Sequence, residues 1–180
     1  MGRYVALLRG INVGGKNIIK MSALAACFEA HGFTAVTTYI QSGNVVFESS
    51  LTARAGLIGE IEVMLAQTFG YAASVAVRSR AEMTAIVERA PRGFGAEPAT
   101  YRYDVLFLKP PLTAAAAIKL IPGAPGVDQA HAGTGVIYAS RLVAKAAQSR
   151  LDKLAAMPIY QQLTVRNWNT TTALAGLTKP

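Results

Sequence analysis

Apolar segments of the chain follow one another in the order strand, helix, strand, strand, helix, strand. Alternating or continuous apolar residues predict strands at residues 3–9, at TTYIQ and NVVFE on either side of Ser42-Gly43, and at 73–77. Apolar residues at helical spacing predict helices at 21–31 and 52–69, the second capped by Thr52. This order is typical of a ferredoxin-like unit, in which both helices pack on a four-stranded antiparallel sheet.

The same order begins again after residue 100. The sequence predicts a strand at YDVLFLK, a helix at 113–121, a hairpin turning at 133–135, a helix at 144–156, a strand at LTVRNW and a closing helix at 170–177. A helix at 81–90 and the Gly- and Pro-rich stretch PRGFGAEP link the halves. We therefore predict an α+β protein of two tandem ferredoxin-like (β-α-β-β-α-β) units with antiparallel sheets, at 1–80 and 100–180, with 81–99 as helix and linker.

The central strands of both units are apolar on both faces, as YVALL and VLFL show. A sheet with helices on one side would otherwise alternate apolar and polar residues. We therefore expect the second face of each sheet to be covered, and the other sheet is one candidate for that cover. An RNA-recognition module shares the element order but leaves aromatic residues exposed on that face, so the pattern argues against such a module.

The composition describes a folded basic protein. Of 180 residues, 52% are hydrophobic, and the net charge is +8. Residues 100–180 hold nine Lys or Arg against three Asp, but no cluster of adjacent basic residues occurs. This diffuse charge leaves binding to single-stranded RNA or DNA open as a function. The single cysteine, Cys27, and the lack of a long apolar stretch predict a cytoplasmic protein without a membrane span.

The loop RGINVGGKN, after the first strand, nearly matches the nucleotide-binding pattern G-x-x-x-x-G-K-[ST]. Asn17 stands where that pattern needs a hydroxyl for magnesium, and the next helix starts several residues too late. The match is therefore accidental. Glycine-rich backbone and positive side chains still suit an anion, although the glycines also fit a plain solvated turn. The candidate ligand residues here are Arg9, Asn12, Gly14, Gly15, Lys16 and Asn17.

The hairpin sequence QSGN supplies further polar groups. In a ferredoxin-like unit, the end of the first strand and the turn between the second and third strands lie at one end of the sheet. We therefore expect Gln41, Ser42 and Asn44 to lie beside the glycine loop. Amides, a hydroxyl and two cations without a nearby carboxylate suit an anionic ligand such as a phosphate ester or nucleotide.

A second candidate site is RNWNT near the C-terminus. Arg166, Asn167 and Asn169 are donors, and Trp168 is the single tryptophan of the chain. An indole and a guanidinium can stack on and pair with a nucleobase. In the alternative, Trp168 anchors the closing helix, with Asn169 or Thr170 as its N-cap.

Residues for other chemistry are sparse. His31 and His131 are far apart and join no set of residues with metal-ligand spacing, so neither a metal nor another cofactor is predicted. No acid, base or nucleophile stands out, so the sequence neither assigns nor excludes a catalytic role. The oligomeric state is not predicted. A protein that only binds other proteins is the remaining alternative.

The segments YVALLRGINVGGKN, TYIQSGNVVFES and TVRNWNT resemble those of bacterial domain-of-unknown-function family 1697. The resemblance covers nearly the whole chain and implies a two-unit α+β protein without an assigned activity. The family tends to have a lysine three residues after the RNWNT motif, where this chain has Ala173. If that lysine contributes to a site, the resemblance implies weaker binding near Trp168 here.

Overall fold

The computed structural model describes residues 1–15 and 17–179 and divides the chain into two compact units. The first runs from Met1 to Thr84 and includes the C-terminal segment from Ala173, and the second is Ala85–Thr172. The sequence predicts boundaries at 80 and 100. The observed division falls inside the helix predicted between the units, and the C-terminal segment groups with the first unit.

The first unit has a layer of helices and one antiparallel sheet. Its strands lie in the order β2-β3-β1-β4, and every neighbouring pair is antiparallel. Its elements are β1 (Gly2–Arg9), α1 (Met21–Ala30), β2 (Thr34–Tyr39), β3 (Asn44–Ser49), α2 (Arg54–Phe69), β4 (Ser74–Ser79) and α3 (Arg80–Glu88), the last of which crosses the division.

The core of the first unit lies between its sheet and α1 and α2. Leu8 of β1, Phe28 of α1 and Leu57 of α2 are among its fully buried residues. The expected cap of α2 is wrong, because the helix begins after Ala53, without a side-chain cap. Val5 on the second face of β1 is also completely buried, in agreement with the apolar character of both faces.

The second unit contains a sheet with strand order β6-β7-β5-β8, again entirely antiparallel. Three 3-10 helices connect the last two strands, at Val143–Gln148, Leu151–Ala156 and Pro158–Gln162. The remaining elements are β5 (Tyr101–Leu108), α4 (Ala114–Ala117), β6 (Asp128–Ala132), β7 (Val136–Leu142), β8 (Leu163–Asn167) and α5 (Trp168–Leu177), which crosses the division. The chain is thus an α+β protein with two four-stranded antiparallel sheets.

The predicted helix at 144–156 is wrong, because the side chain of Asp128 holds the chain in a break. Its carboxylate accepts from Ser149 Oγ at 2.7 Å, from the backbone N–H of Arg150 at 2.8 Å and from that of Ala124 at 2.9 Å. Two short 3-10 helices therefore replace one regular helix. The predicted helix at 113–121 is also shortened, to Ala114–Ala117, with Thr113 accepting from Ala116 N as the N-cap.

A buried arginine occupies an equivalent position in the last strand of each sheet. Arg78 of β4 lies opposite Val5 of the central strand β1, and Arg166 of β8 lies opposite Val105 of the central strand β5. Both guanidinium groups are buried and donate to the carbonyl of the preceding residue, at 2.8 and 2.9 Å. Burial lowers the pKa of each to about 10. The two units thus share a buried Val-Arg step that is not evident as a repeat in the sequence.

Candidate functional site

The loop after β1 and the turn between β2 and β3 meet at one end of the first sheet. The backbone N–H of Leu8 donates to the carbonyl of Gly43 at 2.8 Å. A Cβ at Gly43 would lie only 2.5 Å from Ile11 Cδ1. The predicted meeting of these two segments is confirmed, and we call residues 10–19 and 40–44 together the loop pair.

Asn12 is the residue that joins the loop pair. Its Nδ2 donates to the carbonyl of Gln41 at 2.8 Å and to that of Ile19 at 3.0 Å, while its Oδ1 accepts from the N–H of Ile19 at 2.8 Å. The backbone N–H of Asn12 donates to the carbonyl of Asn17 at 3.1 Å. Every polar atom of this side chain is therefore engaged within the protein, so Asn12 positions the loops and is not available as a ligand donor.

Asn44 has a comparable internal role. It is completely buried, and its Nδ2 donates to the carbonyl of Tyr39 at 2.8 Å and to Ser42 Oγ at 3.0 Å. Direct ligand contact by Asn44 is therefore not part of the site. Gln41 is exposed, and Asn17, also exposed, donates from Nδ2 to the carbonyl of Gly10 at 3.0 Å.

Glycines of the loop pair adopt left-handed backbone conformations beside open space. Gly10, Gly14 and Gly15 have φ of 76°, 60° and 74°, and nothing lies within 4 Å of a Cβ built on any of them. A side chain would be strained by conformation and would also cover exposed backbone. Lys16, another predicted ligand residue, lies outside the described residues.

Arg9, the last residue of β1, leads into the loop pair. The hydroxyl of Tyr71 donates to the carbonyl of Arg9 at 2.9 Å. Burial raises the pKa of Tyr71 to about 12, a shift that Arg9 opposes and Glu62 reinforces. Glu62, on α2 and distant in sequence from Arg9, is thus a carboxylate near Tyr71, whereas the sequence predicts no carboxylate at the site.

Three large apolar side chains are exposed on the loop pair. The exposed fractions are 65% for Val13, 75% for Ile18 and 47% for Ile40. The Val residues of β1, β3 and β4 are buried, so the exposure of these three side chains is a feature of the loops. The loop pair therefore presents both polar backbone and apolar side chains.

In the second predicted site, Arg166 and Asn167 have structural roles that differ from the prediction. Arg166 is buried and does not reach the surface beside Trp168, which corrects its predicted role as a ligand donor. Asn167 is the N-cap of α5, because its Oδ1 accepts from the N–H of Thr170 at 2.8 Å. The cap is thus neither Asn169 nor Thr170.

Trp168 packs against the segment predicted to be a linker, and it also lines an open cleft. Its ring centroid is 5.1 Å from that of Phe94, and a Cβ at Gly95 would meet the indole at 2.2 Å. The cleft has a volume of about 360 Å³, and its walls include Asn167, Trp168 and Asn169 together with Tyr101, Arg102 and Tyr103. The last three residues were not predicted from the sequence. The spacing of the two tyrosines was an available signal, because residues two apart in a strand lie on the same face.

His, Cys, Asp and Glu side chains are the potential metal ligands within residues 1–15 and 17–179. No group of three His, Cys, Asp or Glu side chains there is arranged to hold a metal ion. Cys27 is a buried free thiol. No helix in this described part of the chain is long and apolar enough to cross a membrane.

These observations define a two-unit α+β protein whose polar loops lie at the end of the first sheet. The family model for "Protein of unknown function (DUF1697)" matches residues 1–138, and the chain belongs to that family. The resemblance drawn from the sequence is thereby confirmed.

A solved structure agrees with the fold over its whole length. It is that of a conserved bacterial protein from Streptococcus pneumoniae, with 26% sequence identity and a TM-score of 0.85, over 99% of each chain. No curated protein matches the chain significantly.

Proposed function

We propose that the protein binds a phosphate-bearing small molecule or nucleotide at the loop pair. The observation that carries this proposal is the junction made by Asn12, which joins the glycine loop to the Gln41 carbonyl at 2.8 Å. It holds exposed left-handed backbone from two segments in one place. Glycine-rich turns with such backbone conformations can direct N–H groups into a concave site for an anion.

The residues that would contact the ligand differ from the set predicted from the sequence. Because the amides of Asn12 and Asn44 are engaged internally, the donors are the exposed backbone around Gly14 and Gly15 and the exposed Gln41 side chain. Arg9 and Lys16 supply positive charge in this proposal. Ser42 is half-buried and receives a hydrogen bond from Asn44.

The exposed apolar residues indicate the class of ligand. Val13, Ile18 and Ile40 belong to the same two loops as the polar groups. A free inorganic ion would leave them in water, whereas the organic part of a phosphate ester would remove apolar surface from water. The loop pair therefore favours an organic phosphate over inorganic phosphate.

Isothermal titration with nucleotides, sugar phosphates and inorganic phosphate tests this proposal. We expect the Arg9→Ala/Lys16→Ala double variant to bind an organic phosphate at least about tenfold more weakly, since charge-assisted hydrogen bonds contribute more than neutral ones. Lys119→Ala removes an exposed charge from the second unit and should not change the affinity. Equal affinity of the wild type and the double variant for every ligand detected would reject the site.

We also propose a fold class for the two units and a cellular location for the protein. We infer that each unit is ferredoxin-like, as supported by the strand orders β2-β3-β1-β4 and β6-β7-β5-β8 and by the β-α-β-β-α-β order of the first unit. We also assign the protein to the cytoplasm, where a reducing environment suits a buried free thiol at Cys27.

A further inference from the structure

We propose that the cleft beside Trp168 in the second unit is a binding site for a nucleobase. This site is separate from the loop pair of the first unit and does not depend on the function proposed for it. The volume of the cleft, about 360 Å³, lies within the range of about 300–1,000 Å³ found for small-molecule sites.

Aromatic rings form the walls of the cleft and are held by one another. Phe94 lies behind the wall, with its ring centroid 4.8 Å from that of Tyr103 and 5.1 Å from that of Trp168, in edge-to-face geometry. Tyr101 lies next to Tyr103, at 6.0 Å between centroids. Rings fixed in this way lose little conformational freedom when a ligand binds.

The position of the indole is set by a glycine. Gly95 has φ of 86°, and a Cβ there would lie 2.2 Å from Trp168 Cδ1 and Nε1. The loop can therefore approach the indole closely because residue 95 has no side chain. Trp168 is half-buried, and it contacts this loop while also lining the cleft.

Polar groups at the rim suit the edge of a base. Asn167 and Asn169 are both exposed, and the hydrogen bonds from Thr170 and Thr171 use the oxygens of Asn167, which leaves its Nδ2 as a donor. Arg102 is 56% exposed and donates from Nε to Asp104 Oδ2 at 3.0 Å, so its two terminal nitrogens can face a ligand. Amide and guanidinium groups pair with base edges, and aromatic faces stack on any base.

A second recess continues from the same tyrosines. It has a volume of about 220 Å³, and Tyr101 and Tyr103 line it together with Arg92, Phe94 and His131. The tyrosines thus separate two open spaces on one unit. A second base or the sugar-phosphate part of the ligand would fit this recess.

Trp168 is the single tryptophan of the chain and reports on the cleft directly. The experiment titrates the full-length protein with adenosine, adenosine monophosphate, ribose 5-phosphate and a short single-stranded oligoadenylate, following Trp168 fluorescence and, in parallel, heat release. We expect saturable changes in Trp168 fluorescence and in heat with adenosine, but no change in Trp168 fluorescence with ribose 5-phosphate, which lacks a base. Because adenosine carries no phosphate, its binding is independent of the loop pair.

Tyr101→Leu should weaken adenosine binding at least about fivefold, as expected for loss of one stacking partner. Tyr160→Leu, in the same unit but outside both recesses, is the matched control and should leave the affinity unchanged. Asn169→Ala alters an exposed side chain and provides a second test, with weaker binding expected, if Tyr101→Leu does not fold. Circular dichroism establishes the folded state of each variant.

The outcomes separate the two sites and the two sources of a base. Binding of adenosine alone identifies a nucleoside or nucleotide, whereas much tighter, salt-dependent binding of the oligoadenylate identifies single-stranded nucleic acid. The Arg9→Ala/Lys16→Ala variant should retain adenosine binding in full. No saturable signal or heat with adenosine or oligoadenylate, or equal weakening by Tyr101→Leu and Tyr160→Leu, would overturn the proposal.

Discussion

The side-chain amide of Asn12 donates to the backbone carbonyl of Gln41 at 2.8 Å. A single side chain in the loop after β1 therefore holds the turn between β2 and β3. The same side chain also closes a two-way hydrogen-bond exchange with Ile19, at 3.0 and 2.8 Å. The shape of the loop pair therefore depends on an amide that does not itself face a ligand.

Replacement of Asn12 by Asp keeps the acceptor for the Ile19 N–H but removes both donated bonds. A carboxylate would then face the carbonyls of Ile19 and Gln41, so we expect a loss of about 2–3 kcal/mol in the free energy of unfolding. Urea denaturation measures it. Asn17→Asp removes one exposed bond, to the Gly10 carbonyl, and should lose less than about 1 kcal/mol. Similar losses in both variants would contradict the role assigned to Asn12.

Gly43 is required for two reasons, its φ of 77° and the close approach of Ile11 and Leu8. Gly43→Ala should therefore lower the free energy of unfolding by roughly 1–3 kcal/mol. Gly59→Ala is the opposite control, because Gly59 is exposed within α2 and a Cβ added there would have nothing within 4 Å. It should raise stability by about 0.5–1 kcal/mol. Thermal unfolding of both variants tests the difference in sign.

Tyr71 predicts a loss of stability at alkaline pH. Burial raises its pKa from 10.0 to about 12, so the folded state keeps a proton that the unfolded state releases. This contribution to stability is complete below pH 10 and is lost as the pH rises through about 12. In Tyr71→Phe the titration and the bond to the Arg9 carbonyl are both absent. Absorbance at alkaline pH and denaturation curves across this range would show whether the variant lacks the dependence.

Asp128 predicts a loss of stability in acid. Burial raises the pKa of its carboxyl group, but hydrogen bonds from Arg150, Ser149 and Ala124 outweigh burial and lower it below 3.8. The contribution is therefore present above that value and disappears as the pH falls through the folded-state pKa. Asp128→Ala should lower the free energy of unfolding at neutral pH by roughly 2–3 kcal/mol.

The control for Asp128 is Asp152→Ala, which removes an exposed carboxylate paired with Arg141. Exposed ion pairs contribute about 0–1 kcal/mol, so this variant should unfold much like the wild type. A stability profile for Asp128→Ala that keeps the acid sensitivity of the wild type would count against the assignment.

Sequence reasoning succeeded where the signal is local. The strands around Ser42-Gly43 and the helix at 21–31 follow from side-chain periodicity. The helix and β3 occur within one residue of their predicted ends, whereas β2 begins three residues and ends two residues earlier than predicted. It failed at 144–156, where apolar spacing indicated a helix. There a carboxylate about twenty residues earlier, Asp128, binds the backbone and divides the segment.

The sequence by itself determined the order of strands and helices in the first unit and the meeting of the two loops, because hydrophobic periodicity is a local signal and sheet connectivity fixes which strand ends lie together. Only the tertiary structure decided which polar groups face solvent. Hydrogen bonds to Gln41 and Tyr39 engage Asn12 and Asn44, and folding brings Tyr101 and Trp168 to one cleft. Such contacts join residues distant along the chain, and a donor's partner depends on what folding places within about 3 Å of it.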